Sequence, residues 1–236
     1  MTQGPPQASS SARATPVVVA AIIAALAAAP VAAQESVIST PHNLSVTGPG
    51  DVRALNESEV CKFCHIPHNA VVPQPLWGHA LSKVQYATPQ VRRDTEDPTS
   101  APQPDGASRL CLSCHDGSVA LGDIGQSAKP IAMAGTQRLD ARNRGFLGTD
   151  LSGSHPVSFR VPDGDAATDG AVRDIGLKPL GVVKSDSDVK LDGQDRMQCT
   201  TCHDPHSDRY YEEGRVPRFW VKPSLEEVCL TCHELR

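Results

Sequence analysis

All eight cysteines of this 236-residue chain fall in four copies of one pattern. The copies are Cys61-Lys62-Phe63-Cys64-His65, Cys111-Leu112-Ser113-Cys114-His115, Cys199-Thr200-Thr201-Cys202-His203 and Cys229-Leu230-Thr231-Cys232-His233. Two thiols three residues apart lie on one face of a helical turn, with the histidine directly beside them. Both sulfurs can then form thioethers along one edge of a porphyrin while the imidazole reaches the iron, which is the chemistry of c-type haem attachment. A single Cys-x-x-Cys could equally hold structural zinc, cycle as a redox disulfide or belong to a disulfide framework. Four copies with histidine at the same offset favour haem, and no βαβ pattern surrounds any of them as a thioredoxin-like site would want. The expected cofactor is four covalently attached haem c groups. Cys61, Cys64, Cys111, Cys114, Cys199, Cys202, Cys229 and Cys232 would hold them, with His65, His115, His203 and His233 as proximal ligands.

The second axial ligand decides between electron transfer and catalysis. Five histidines remain, His42, His68, His79, His155 and His206, against Met133 and Met197 as thioether donors beyond the first residues. Histidine can therefore close every iron, and without methionine ligation the potentials should be low. His68 follows His65 by three residues and cannot pass round to the far side of the haem that His65 holds, so it must serve another iron. His203 and His206 repeat this device, and each short turn would tie two haems together.

The elements that carry these residues read as a repeat. The first and third sites share Cys-x-x-Cys-His-x-Pro-His, whereas the second and fourth share Cys-Leu-Ser/Thr-Cys-His without a trailing histidine, an A-B-A-B order that suggests internal duplication. Asn56-Glu57-Ser58-Glu59 and Ser224-Leu225-Glu226-Glu227 resemble capping boxes leading into short helices at Cys61 and Cys229. Pro98 to Ser108 reads as a linker, and Pro156 to Val161, Gly181 to Leu191 and Arg209 to Val221 read as short strands or hairpins. The aspartates of Asp163 to Asp174 and Asp186 to Asp195 do not fit an EF-hand loop and read as solvated acidic loops. With 4% aromatics, 20 prolines and 18 glycines, the chain is too poor in core-forming residues to fold around ordinary side chains. The expected fold class is a small, irregular multihaem fold, mostly coil, with short helices at the attachment sites, a few short strands and the haems as core.

Residues 1–33 read as an export signal: Arg13, then the apolar run from Val17 to Ala29, then Val31-Ala32-Ala33 before a cut ahead of Gln34. The 13 apolar residues between Pro16 and Pro30 fall short of the roughly 20 that a spanning helix needs. No membrane span is therefore expected in the mature chain, and a periplasmic or extracellular location is. Residues 34–236 would form one tetrahaem domain, with doubled units at about 42–118 and 199–236 joined by 119–198. Net charge is −5, becoming −6 without Arg13, the one charged residue of the signal, so nothing suggests a nucleic-acid partner.

The chain resembles the doubled-CxxCH family of multihaem c-type cytochromes. The runs that carry the resemblance are Pro41-His42-Asn43-Leu44-Ser45, Cys61 to Asn69, Pro75-Leu76-Trp77, Cys111 to Gly117, Leu147 to Ser152, His155-Pro156-Val157-Ser158-Phe159 and Cys199 to His206. The resemblance implies bis-histidine electron carriers, some of which polymerise into extracellular filaments. It also implies that His42, His68, His155 and His206 are the distal ligands, leaving His79 over. The expected function is electron transfer rather than enzymatic catalysis, between redox partner proteins. A multihaem reductase of a small nitrogen or sulfur species is the alternative. His42 lies on a polar, turn-rich segment from Gln34 to Asp51 that reads as an extended arm, so it could ligate a haem of a neighbouring subunit and build a homopolymer.

Overall fold

The computed structural model describes residues 36–73, 75–93, 96–125, 127, 129–163 and 176–234, together with 1, 2 and 4. The chain divides into Met1–Val31 and Ala32–Arg236. The expected export signal therefore lies outside the described residues but for those three.

Short helical turns and small strands joined by coil make up the second unit, as the composition suggests. Strand β1 (Arg53–Ala54) pairs antiparallel with β4 (Met133–Ala134), and β2 (Gln90–Arg93) pairs antiparallel with β3 (Glu96–Ser100) across an irregularity between Val91 and Arg93. The helices are α1 (Gly106–His115), α2 (Leu180–Val183), α3 (Cys199–Cys202) and α4 (Leu225–Cys232), with 3-10 turns at Val37–Ser39 and Val60–Phe63. Each Cys-x-x-Cys pair therefore sits on or at the end of a helical turn. No described helix is long and apolar enough to cross a membrane.

Local chemistry explains the ends of these elements. Helix α4 starts at Ser224, whose hydroxyl accepts from the Glu227 amide at 3.2 Å, and Glu226 and Glu227 complement the positive end of the helix. The matching expectation at Asn56 fails: the Val60–Phe63 turn has no side-chain cap. Glu57 instead accepts from the Glu59 amide (3.0 Å) and pairs with Lys62 (2.6 Å), and the helix that follows is a single 3-10 turn. The Pro98 to Ser108 linker is likewise replaced, since Pro98 lies in β3 and Ser108 in α1. Gly181 to Leu191 forms no strand. Residues Leu180–Val183 are helical, and Asp186 then turns the chain by accepting from the amides of Asp188 and Val189, both at 2.9 Å. Only isolated bridges, Arg160↔Arg196 and Glu212↔Val216, remain of the other two expected hairpins. Most of the acidic run Asp163 to Asp174 lies outside the described residues.

Among the described residues, apolar packing is divided among four clusters with three or four buried residues each. Ala54, Phe63, Leu121 and Met133 form the first, Tyr86, Leu112 and Leu151 the second, Val161, Leu180 and Val183 the third, and Val189, Val221 and Val228 the fourth. Full burial of one such side chain stabilises by about 1.5–3 kcal/mol, so no cluster of this size supports a domain of this length alone. The clusters surround the attachment cysteines: Cys64 and Cys114 pack on the first, Cys202 on the fourth, and Cys232 on the third and fourth.

Candidate functional site

All eight thiols are free, six of them half-buried and Cys61 and Cys229 exposed, and burial shifts several of them. It pushes Cys64 up to about 11 and Cys114 and Cys202 up to about 12, and it raises Cys232 as well. With no metal beside them, such thiols are protonated at neutral pH. Cys199 is instead held down to about 7 because its sulfur shares a hydrogen bond with Cys111, which rises correspondingly. Among the described residues, no three His, Cys, Asp or Glu side chains converge as a metal cage would require.

The thiols also report which attachment sites adjoin. Cys64 and Cys114 are close enough for one to raise the other's pKa, Cys111 touches Cys199, and Cys202 senses Cys232 and Cys229. A polar seam joins the second site to the third. The carbonyl of buried Gln198 accepts from the Ser108 amide (3.1 Å) and hydroxyl (2.6 Å), and the Ser108 hydroxyl accepts from the Cys199 amide at 3.1 Å.

Three of the four motif histidines each face one of the other histidines. His65 and His206 have ring centres 6.1 Å apart at an interplanar angle of 19°. His42 and His115 are 6.0 Å apart at 69°, and His155 and His233 are 6.2 Å apart at 69°. Two imidazoles bonded at about 2 Å to opposite sides of one metal place their ring centres roughly 6 Å apart, so each pair fits a single bis-imidazole iron. The outer ring nitrogens are also provided for. Nδ1 of His65 donates to the Pro75 carbonyl (2.7 Å), that of His115 to Gly145 (2.6 Å), that of His42 to Pro205 (3.2 Å) and that of His155 to Pro156 (2.8 Å). A main-chain acceptor at Nδ1 leaves the lone pair on Nε2, the tautomer a metal ligand needs.

His42 is not on a free arm. Thr40, Asn43 and Ser45 are fully buried, the Asn43 amide donates to the Ile38 carbonyl (2.8 Å), and Ser36 bridges to Ser207 of the last doubled unit. The His42 ring stacks on Phe219 at 4.1 Å, and burial, then nearby His115, lowers its pKa to about 4, keeping it neutral. In this structure the segment of His42 packs against its own chain, through the Ser36–Ser207 bridge, the Pro205 carbonyl and the Phe219 ring.

The two Cys-x-x-Cys-His-x-Pro-His units share a tertiary pattern that the motif alone does not reveal. His65 bridges to Trp77 and His203 to Trp220, with ring centres 6.0 and 4.9 Å apart. Leu76 and Phe219, each just before its tryptophan, both have left-handed backbones, with φ of 62° and 63°. The Gly78 amide donates to Cys64 and the Val221 amide to Cys202 in the same relative positions. Sequence reasoning missed the second tryptophan because 12 residues separate Trp77 from His65 and 17 separate Trp220 from His203. The Trp77 indole N–H is buried and has no hydrogen-bond partner among the described residues, as expected beside a group that carries carboxylates.

Three histidines stand apart from these pairs. His79 is fully buried with Nδ1 at 2.9 Å from the Ala80 carbonyl and Nε2 at 3.0 Å from the Ala120 carbonyl, so neither nitrogen faces open space. Burial lowers its pKa. His68 is exposed and His203 is held edge-to-face by Trp220, and the two do not form a ring pair with each other.

A comparison with known protein families matches the C-terminal end of the chain. A family model described as "Doubled CXXCH motif" matches residues 193–235, the span of α3 and α4 with their two attachment sites. No curated protein matches the chain. The doubled motif indicates covalent binding of haem c in a c-type cytochrome-like protein.

Proposed function

We propose that the protein is an exported tetrahaem c-type cytochrome that transfers single electrons and catalyses no reaction of its own. The observation that carries the reading is the set of three histidine pairs at 6.0–6.2 Å, each joining a motif histidine to one outside the motif. His65, His115, His203 and His233 would act as proximal ligands, with His206, His42 and His155 opposite the first, second and fourth. Haem c, when bound, supplies a one-electron iron couple. The chain's own residues orient the imidazoles through main-chain carbonyls, exclude water through the four apolar clusters and keep adjacent attachment sites in contact. Mass spectrometry of protein matured in an oxidising compartment tests this reading. A chain carrying four haems with negative midpoint potentials is expected, and fewer haems would end the tetrahaem reading.

One observation favours the reductase alternative. Among the described residues, no histidine ring stands opposite His203 at the spacing of the other pairs. An iron held there with an open position would bind carbon monoxide or nitrite rapidly.

A further inference from the structure

We infer that Asp208 is a positioning residue for the second haem: it holds the Phe219 ring flat against His42, and its carboxylate lowers the potential of that haem. This rests on the tetrahaem reading above, in which His42 and His115 face each other across one iron. Asp208 is 2% exposed. The Phe219 amide donates to one of its carboxylate oxygens at 2.7 Å, and the Arg218 guanidinium pairs with the other. The guanidinium is drawn outwards, with its central carbon 3.7 Å from the Tyr211 ring centre. The carboxylate stays inside, near enough to His42 to act on it electrostatically. An anion beside an iron ligand stabilises the ferric charge more than the ferrous one, and does so more strongly in a dry interior than in water, so it lowers the potential.

The first attachment unit supplies a comparison within the same molecule. Counted from the motif histidines, Ala70 stands where Asp208 does; counted from the bridged tryptophans, Pro75 and Leu76 stand where Arg218 and Phe219 do. Both turns place a left-handed residue before the tryptophan, and both give a main-chain carbonyl to the motif histidine, Pro75 to His65 and Arg218 to His203. In the first unit the Leu76 amide donates to the Pro73 carbonyl at 3.1 Å, so the turn forms there without a carboxylate. Leu76 is exposed, whereas Phe219 is buried and stacks on His42 with an interplanar angle of 12°. The turn therefore does not require Asp208, Arg218 and Phe219. What they add is a buried charge and an aromatic face, and both are directed at His42. A buried ion pair adds little net stability, so its effect on the neighbouring ligand is the larger consequence.

The test uses the native four-haem protein, with potentials from spectroelectrochemical titration and ligand geometry from electron paramagnetic resonance of the ferric form. His42→Ala first identifies the second haem as the one that turns high-spin. Asn keeps an acceptor for the Phe219 amide but not the charge, so Asp208→Asn should raise the potential of the second haem and leave the first and fourth unmoved. The ferric signal depends on the angle between the two imidazole planes, which is 69° for His42 and His115. Phe219→Leu, which gives this turn the residue type of the first unit, frees the His42 ring to rotate and should move the signal of the second haem, leaving those of the first and fourth in place. A purely structural Asp208 would lower the unfolding midpoint with all four potentials unchanged, and that result would overturn the inference. An equal shift of all four potentials, or an unmoved signal in Phe219→Leu, would overturn it too. Should Asp208→Asn not mature, the Phe219→Leu signal decides. Fewer than four haems by mass, or no high-spin haem in His42→Ala, would strike the underlying tetrahaem reading instead, and both are read before any Asp208 variant.

Discussion

His115 illustrates how a single side chain is prepared for its task. Its Nδ1 donates to the Gly145 carbonyl at 2.6 Å, and Gly145 has a left-handed backbone (φ 84°) that would bring an added Cβ to 3.2 Å from the imidazole. Glycine is needed there both for the backbone and for the ring's approach. On the proposed reading, the same arrangement separates ligand histidines from structural ones. His155→Ala should leave the His233 site with one high-spin haem. His79→Ala should leave all four spectra unchanged yet destabilise the fold by about 1–3 kcal/mol, because the neutral ring's single N–H is lost and the buried carbonyl it serves is left unpaired. Spectra paired with denaturant titration check both outcomes. A high-spin haem in His79→Ala would exchange the two roles.

Helix α4 and the loop before it show how an attachment turn is anchored. The Ser224 hydroxyl caps the helix, so Ser224→Ala should cost about 1 kcal/mol without loss of haem, measurable by thermal unfolding. Asp186 ties α2 to the segment before α4 through the Lys222 ammonium at 2.7 Å. Burial alone would raise its pKa, but Lys222 and the amides of Val189 and Asp188 outweigh this and hold it at about 2. That value lies below the ordinary carboxylate pKa of about 3.9, so the stabilisation is present above pH ~4 and lost as pH falls towards about 2. The stability gap between native protein and Asp186→Asn should therefore be open at neutral pH and close across that interval, as acid titrations of both proteins would record. Gly117, after the second site, has a left-handed backbone (φ 72°) and would bring a Cβ to 2.4 Å from the Leu139 carbonyl. Gly117→Ala should destabilise by more than about 1 kcal/mol in the same unfolding assay.

On the proposed reading, the whole molecule is held together less by its own side chains than by the haems its cysteines and histidines would bind. Four apolar clusters with three or four buried residues each cannot offset the entropy of ordering some two hundred residues. Chain produced without haem attachment should therefore lack a cooperative unfolding transition by circular dichroism and be cut rapidly by protease, whereas the four-haem protein should resist both. A cooperative, protease-resistant haem-free chain would refute the idea that the haems are the core.

The sequence by itself determined the chemistry of attachment, because the offset from Cys64 to His65 and its three repeats is a covalent spacing that needs no folding to be read. It also determined the fold's poverty in regular elements, through its prolines, glycines and scarce aromatics. The tertiary structure alone decided which histidines face each other. His42 is separated from His115 by 73 residues and His65 from His206 by 141, distances over which local spacing carries no information. It also decided that the segment of His42 is docked rather than free, since the Pro205 carbonyl, the Phe219 ring and the Ser36–Ser207 bridge are contacts that only folding brings to it. The two tryptophan bridges, at His65 and His203, likewise depend on loops of unequal length returning to equivalent places. Loop closure is cheap in free energy and leaves little trace in sequence, which is why that symmetry becomes legible only in three dimensions.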